Sequence, residues 1–287
     1  MILGNALWSL LAMVAHLCAC LGVGSLVWRL CRFPKTDRAL VLYASQYLLG
    51  FGILAAIFTI LGLAGLLTSF PTLGVILLGL GFFALGILKG HMPRPEVSWP
   101  VREWGAIWHL MIALSVTALF IGLGLGAWLI PPFGDAEAYY LVYPKIIAAT
   151  GIIEAMHGPY GFFSTVGITG EVQFSALMVL ADQWAAKLMM FPIAVAGGVF
   201  LASIVRSAGG GQIAQTLSWA IFGSSTTVST YVFDGKVELV AIAFGLAAVF
   251  WLFRGFHAQL DRRDAILAGL FGGLATVTKF SLIPTLG

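Results

Sequence analysis

Charged residues are scarce in this chain, and their scarcity argues against a soluble fold. Only 9% of the 287 residues are Asp, Glu, Lys or Arg, whereas 60% are hydrophobic. Soluble domains carry roughly 25% charged residues. A soluble fold could not bury the apolar surface of a chain with this composition. The formal net charge of +3 does not indicate nucleic acid as a partner.

Cysteine is also rare. The three cysteines, Cys18, Cys20 and Cys31, all lie in or beside the first apolar segment, where helical thiols usually act as small packing residues. They predict neither a disulfide framework nor a metal site.

The two ends of the sequence lack polar signals. The first residues carry no basic region of the secretory type, so we expect the first apolar segment to be a retained helix. The sequence stops at Gly287 inside apolar residues, and we expect it to be a piece of a longer protein.

Long apolar runs are what the chain has in abundance. A helix needs about 20 apolar residues to cross a bilayer core about 30 Å thick. Eight segments qualify as candidates: residues 2–28, 39–67, 73–88, 105–130, 186–205, 212–230, 237–253 and 265–286. The predicted fold class is therefore all-α, a polytopic transmembrane bundle of about eight spanning helices, with surface helices in one long outer loop at 131–185.

The distribution of basic residues predicts one orientation, since cytoplasmic loops hold the excess of Lys and Arg. With the N-terminus outside, eleven of the fifteen basic residues fall in inner loops. These are Arg29, Arg32, Lys35, Arg38, Lys89, Arg94, Arg102, Arg206, Arg254, Arg262 and Arg263. The outer face is acidic, with Asp135, Glu137, Glu154, Glu171, Asp182, Asp234 and Glu238 against Lys145, Lys187 and Lys236.

A ninth crossing at residues 171–181 would reverse every later loop. That segment is too short to span as an α-helix, and reversal would place Arg206 and Arg254 outside. We therefore predict a helix that lies at the outer membrane surface.

The outer loop opens with Pro131-Pro132-Phe133-Gly134-Asp135, and the proline pair ends the fourth helix. A carboxylate at this edge of the membrane is a candidate general base. Asp135 and Glu137 are alternatively ligands for a divalent cation such as Mg²⁺ or Mn²⁺, or simply the acidic start of a helix. All three interpretations remain open at this point.

Two later features fall on the same predicted face. The sixth segment ends in a Ser/Thr-rich run, and the turn after it holds Asp234, Lys236 and Glu238. Lys279 is predicted to lie within the last helix, in the outer half of the membrane. A cation at that depth is either functional or reaches the interface with its long side chain.

Four segments, in order, resemble the GT-C type of membrane glycosyltransferase. They are Gly134-Asp135-Ala136-Glu137-Ala138-Tyr139-Tyr140-Leu141-Val142-Tyr143-Pro144-Lys145, Ala181-Asp182-Gln183-Trp184-Ala185-Ala186-Lys187-Leu188, Tyr231-Val232-Phe233-Asp234 and Ala275-Thr276-Val277-Thr278-Lys279-Phe280. The resemblance divides the chain into an N-terminal three-helix extension, 1–104, and an incomplete catalytic module, 105–287.

The resemblance implies transfer of a sugar, with inversion, from a polyprenyl-phosphate donor to a glycan, lipid or protein acceptor. It further implies a bacterial inner membrane with the site on the periplasmic side. Asp135 is then the catalytic base with Glu137 beside it, Asp234 supports the site or a metal, and Lys279 contacts the donor phosphate. Tyr139, Tyr140 and Lys145 are the remaining candidate substrate-binding residues.

The chain departs from the family pattern at several points. Ala136 separates Asp135 from the next acidic residue, and Tyr140 stands where the family often has His. Two other hypotheses therefore remain: a multi-pass transporter that uses the outer acidic residues and Lys279, and a structural membrane subunit without chemistry. No convincing internal repeat of the kind common in transporters is visible.

Overall fold

The computed structural model describes residues 2–34, 36, 38–89, 105–158, 161, 167–257 and 261–279. Within these ranges the secondary structure is helical and contains no strand, which confirms the all-α class. The helices are α1 (Ile2–Leu30), α2 (Ala39–Leu63), α3 (Ser69–Leu88), α4 (Gly105–Leu129), α5 (Val142–Thr150), α6 (Thr169–Leu180), α7 (Gln183–Leu188), α8 (Met190–Ser207), α9 (Gln212–Ser224), α10 (Thr226–Asp234), α11 (Glu238–His257) and α12 (Arg262–Thr278). Lys35, Arg94, Arg102, Phe280 and the predicted boundary at residue 104 lie outside the described residues.

Four helical stretches are long and apolar enough to cross a membrane. Over the described ranges these are Ala6–Leu30, Ala39–Leu63, Ser69–Leu88 and Gln183–Ser207. They match four of the eight predicted crossings by length and composition. Their outward side chains are apolar, as a lipid environment requires; Phe70, for example, is 89% exposed.

The first two helices pack with their backbones almost in contact. A Cβ atom on Gly24 would lie 1.8 Å from the carbonyl oxygen of Gln46, and one on Gly50 would lie 1.8 Å from that of Cys20. Small residues permit this approach in lipid, where van der Waals packing drives helix association. The core continues from here through the buried rings of Phe51, Phe244 and Phe271.

The outer loop contains a π-helical turn (Ala136–Tyr140), α5 and α6. Residues 171–180 are helical as predicted and Ala181 lies beyond the helix, but α6 differs from the surface helix we expected. All its side chains from Thr169 to Leu177 are buried, because α6 packs between α2 and α5. Asp182 then accepts hydrogen bonds from the backbone N–H groups of Trp184 and Ala185 and begins α7.

Hydrogen bonds join the outer loop to the N-terminal helices. Leu67 N–H donates to the carbonyl of Gly151 over 3.2 Å, and Ile153 N–H donates to that of Gly62 over 3.0 Å. The turn after α2 and the end of α5 are therefore fixed to each other.

Two predicted helix boundaries are wrong. The segment predicted at 212–230 breaks at Ser225, whose ψ of 127° is not helical, and α10 then continues to Asp234. The last helix ends at Thr278, so Lys279 lies beyond it in an extended conformation rather than inside it. The Thr278 hydroxyl bonds back to the carbonyl of Leu274, and Gly167 occupies the space against the carbonyl of Thr278.

Candidate functional site

Two carboxylates and one ammonium group form the first half of a polar cluster. Lys236 Nζ lies 2.7 Å from Oδ2 of Asp135 and 3.7 Å from Oδ2 of Asp234. Asp135 is 52% exposed and Asp234 only 1% exposed. Asp135 is therefore open to a reactant, whereas Asp234 supports the ammonium group from within.

Backbone geometry brings these three side chains together. The proline pair ends α4, and the N–H of Phe133 just beyond it donates to Oδ1 of Asp234 over 3.0 Å. Gly235, with φ of +81°, ends α10 in the left-handed conformation that glycine favours. Burial raises the pKa of Asp234, while the Phe133 N–H and the Lys236 charge act to lower it.

The second half of the cluster forms around Glu238, the first residue of α11. Its Oε1 accepts hydrogen bonds from the Tyr140 hydroxyl and from Nζ of Lys279. Tyr140 also connects the two halves, since its ring centroid lies 6.0 Å from Nζ of Lys236 and 5.9 Å from Nζ of Lys279. Both distances fall within the range of cation–π attraction.

A further carboxyl group, Glu171 in the first turn of α6, interacts electrostatically with Glu238 and Lys279. Glu171 is 8% exposed, and its Oε2 has no hydrogen-bond partner among the described residues. Burial raises its pKa to about 8; the Glu238 charge acts in the same direction, whereas its own backbone N–H and Lys279 oppose the shift. Glu171 therefore carries a proton at neutral pH.

Lys187 supports the cluster by contacting the backbone at the end of α4 and after α10. Its Nζ donates to the carbonyl of Ile130, the last residue before the proline pair, and lies 4.7 Å from the ring centroid of Trp184. Its stem also packs under Gly235, where an added Cβ would lie 3.1 Å from Cγ of Lys187. This buried lysine therefore links the end of α4 to the turn after α10.

An open apolar groove of about 510 Å³ lies near the start of α6 and the end of α12. Its walls are parts of α2 and α12 and the residues that lead into α6. The lining residues are Gly52, Ala55, Ala56, Thr59, Ile60, Gly167, Ile168, Thr169, Leu274 and Val277. Val277 is two residues before Lys279 and Thr169 two before Glu171 in the chain. The groove lies on the side of α6 that contacts α2, and its lining residues do not include those of the cluster.

Comparison with known proteins identifies no relative. No protein-family model matches the chain, and neither a curated protein nor a solved structure matches it. The function must therefore be argued from the cluster and the groove themselves.

The structure places four of the seven predicted site residues in the cluster: Asp135, Tyr140, Asp234 and Lys279. Glu137 and Lys145 are exposed, and no contact in the described part of the chain joins them to it. Tyr139 lies in the π-helical turn, but its side chain is outside the described residues.

A shared divalent cation does not fit this arrangement. Lys236 places its ammonium group between Asp135 and Asp234, where a metal ion would have to bind both carboxylates. The described residues hold no group of three or more His, Cys, Asp or Glu side chains suited to a metal. We therefore derive no step through a metal.

Sequence reasoning missed the roles of three residues. Lys236 and Glu238 were visible as charges in the outer turn, but nothing in the sequence showed that they pair with Asp135 and Lys279. Glu171 looked like a surface carboxylate. Its only signal was its position directly before a segment, Val172 to Leu180, that is too short to span the membrane.

Proposed function

We propose that this protein is a GT-C type membrane glycosyltransferase. It moves a sugar, with inversion, from a polyprenyl-phosphate donor to an acceptor at the outer face of the membrane. The observation that carries the proposal is the polar cluster, in which the exposed carboxylate of Asp135 and the ammonium groups of Lys236 and Lys279 lie around Tyr140.

The groove suits the lipid part of such a donor. Its wall on α2 belongs to one of the four helices long and apolar enough to cross the membrane. Small residues at Gly52, Ala55 and Ala56 leave the space, and a hydrocarbon chain needs only apolar walls. At the end of α12 the ammonium group of Lys279 is placed to attract the donor phosphate, whose charge increases as it leaves the sugar.

Asp135 suits the acceptor side of the reaction. It is half exposed, so that an acceptor hydroxyl can approach it, and Lys236 fixes one of its oxygens. A carboxylate oriented in this way can take the hydroxyl proton, which is the work of a general base. Separate groups for acceptor and phosphate are what a single displacement with inversion requires.

The proposal includes eight crossings with the N-terminus outside, since this topology places Asp135 on the outer face. A variant lacking Cys18, Cys20 and Cys31 and carrying Asp135→Cys tests it. We expect a membrane-impermeant maleimide to label this variant in intact cells. Labelling only after lysis would contradict the orientation.

The decisive experiment measures sugar transfer from polyprenyl-phosphate donors by membranes that contain the protein. We expect Asp135→Asn to abolish transfer at unchanged protein level. Glu154→Gln, at an exposed carboxylate of the same outer loop, is the matched control and should transfer normally. Normal transfer by Asp135→Asn would remove Asp135 from the mechanism, and no transfer by any form from a broad donor panel would reject the function.

A second candidate function is a proton-coupled transporter. The buried carboxyl of Glu171 beside the Glu238–Lys279 ion pair is also the kind of arrangement that handles protons within membranes. Uptake of a solute into proteoliposomes, lost in Lys279→Ala, would favour this function over the transferase.

A further inference from the structure

We propose that Glu171 is the general acid of the transfer: it protonates the phosphate oxygen that leaves the sugar, at a subsite formed with Lys279 and Glu238. This inference rests on the proposed transferase function. It assigns Asp135 and Glu171 to the two opposite proton transfers of one reaction.

The subsite has unused hydrogen-bonding capacity. Glu238 uses Oε1 for Tyr140 and Lys279, and its Oε2 is buried without a partner among the described residues. Oε2 of Glu171 is likewise buried without a hydrogen-bond partner among the described residues. Buried polar atoms without a hydrogen-bond partner are unfavourable, so these two carboxyl oxygens indicate a site that a polar ligand completes.

Burial and the Glu238 charge favour the acid form of Glu171 by raising its pKa, whereas the Lys279 charge acts to lower it. Glu238 and Lys279 face it from α11 and from the end of α12, and the Tyr143 hydroxyl interacts with it from α5. Lys279 already balances Glu238. A proton on Glu171 therefore leaves the cluster neutral, and burial raises its pKa to about 8.

The N-terminal helices hold α6 so that Glu171 cannot turn away. Gln173, two residues later, points about 200° around the helix from Glu171. On that side Oε1 of Gln173 lies 2.6 Å from Nε2 of His16. The side-chain N–H of Gln173 donates to the carbonyl of Phe51 over 2.7 Å. α6 is thus fixed from behind by α1 and α2, and Glu171 faces the cluster.

Further contacts fix the end of α6. The Trp8 indole N–H donates to the carbonyl of Leu180 over 3.0 Å, and the Ser9 hydroxyl donates to the carboxylate of Asp182 at 2.8 Å. Helix α1 therefore contacts the segment from Gln173 to Asp182 at three separate points.

The proposed step balances as follows. The bond between the anomeric carbon and the phosphate oxygen breaks, and its electron pair stays on that oxygen, which takes the proton of Glu171. The acceptor oxygen bonds to the anomeric carbon, and its proton passes to Asp135. Water then returns a proton to Glu171 and removes one from Asp135.

Proton donation has a physical reason here. A phosphate monoester loses its second proton with a pKa of about 6, so the unassisted leaving group would be a dianion. That dianion would form beside the negative charge of Glu238, where burial makes like-charge repulsion strong. Protonation by Glu171 keeps the leaving phosphate singly charged.

The test compares the pH dependence of kcat for the full-length wild type, Glu171→Gln and Glu154→Gln in liposomes. We expect wild type and Glu154→Gln to lose activity as pH rises through about 8. We expect Glu171→Gln to lose this alkaline limb and about a hundredfold in kcat, with donor KM changed less than about threefold. Glu171→Asp keeps an acid and should retain an alkaline limb, which guards against a purely structural loss.

The leaving group provides the second readout. With a polyprenyl-phosphorothioate sugar, in which sulfur replaces one non-bridging phosphate oxygen, the leaving group is a weaker base, so we expect the kcat defect of Glu171→Gln to shrink about threefold or more. An equal defect with both donors, or an unchanged alkaline limb, would overturn the role of Glu171 while leaving the transferase function intact. A wild type that transfers from neither donor would overturn the proposed function, and with it this inference.

Discussion

Lys236 brings its ammonium group to within 2.7 Å of Oδ2 of Asp135, although 101 positions separate the two residues. The same nitrogen lies 3.7 Å from Oδ2 of Asp234. One lysine thus connects the loop after α4 to the turn after α10, and the orientation of Asp135 depends on it.

Replacement of Lys236 by methionine should impair the reaction without unfolding the protein. Asp135 then loses the group that orients it, and the buried Asp234 loses its nearest cation. We expect kcat to fall about tenfold to a hundredfold, with partial recovery in Lys236→Arg. The control is Lys89→Met, a lysine after α3 on the predicted inner side. Equal kcat values in wild type and Lys236→Met would contradict an orienting role.

Stability should depend on pH through Glu171. Its folded pKa of about 8 lies above the usual 4.5, so its contribution is fully present below about pH 4.5 and is lost as pH rises through about 8. Wild type should therefore become less stable across this window, by a few kcal/mol in order of magnitude. Glu171→Gln, which cannot ionise, should show a flatter dependence of thermal stability in detergent. Parallel curves for the two proteins would count against a neutral Glu171 in the folded state.

Gly167 should tolerate alanine poorly, for a reason that a second glycine isolates. Gly167 and Gly209 both have positive φ, +119° and +88°, so alanine strains the backbone at either position. At Gly167 the new Cβ would also lie 2.6 Å from the carbonyl oxygen of Thr278. At Gly209 the new Cβ would have open space around it, with no neighbouring group within 4 Å. We expect Gly167→Ala to lower the free energy of unfolding by at least about 2 kcal/mol more than Gly209→Ala. Equal losses would show that the end of α12 can move aside.

His16 and Gln173 should be energetically coupled. Their side chains meet in the buried interior, and either truncation leaves the other polar group without its partner. His16→Phe and Gln173→Leu should each cost about 1–3 kcal/mol. In a double-mutant cycle measured by thermal unfolding, we expect a coupling of about 1 kcal/mol. Strict additivity would mean that the two side chains stabilise the fold independently.

Much of the helical architecture follows from the sequence because apolar run length has one dominant physical cause, the bilayer. The extents of α1, α2 and α3 agree closely with the apolar runs at residues 2–28, 39–67 and 73–88. The break at Ser225 was not predicted, since the Ser/Thr-rich run is compatible with a helix and the break depends on tertiary packing. The end of α12 before Lys279 was missed for the same reason.

The candidate site was predictable only in part. The position of Asp135 after two prolines follows from local chain geometry, and Asp234 was expected on the same face. The pairing of Lys236 with Asp135, and of Glu238 with Lys279, requires knowing which helices are neighbours. The burial of α6 also depends on α1 and α2, which the family resemblance assigned to a separate extension.

The hydrogen bonds between the turn after α2 and the end of α5 limit how this protein can be recombined with others. Gly62 and Leu67 bond directly to Ile153 and Gly151, and these contacts lie on the two sides of the division suggested at residue 104. A chimera that exchanged the first three helices would lose these hydrogen bonds, together with the contacts by which α1 and α2 hold α6 in place. The boundary that looks natural in the sequence is therefore a poor place for a splice.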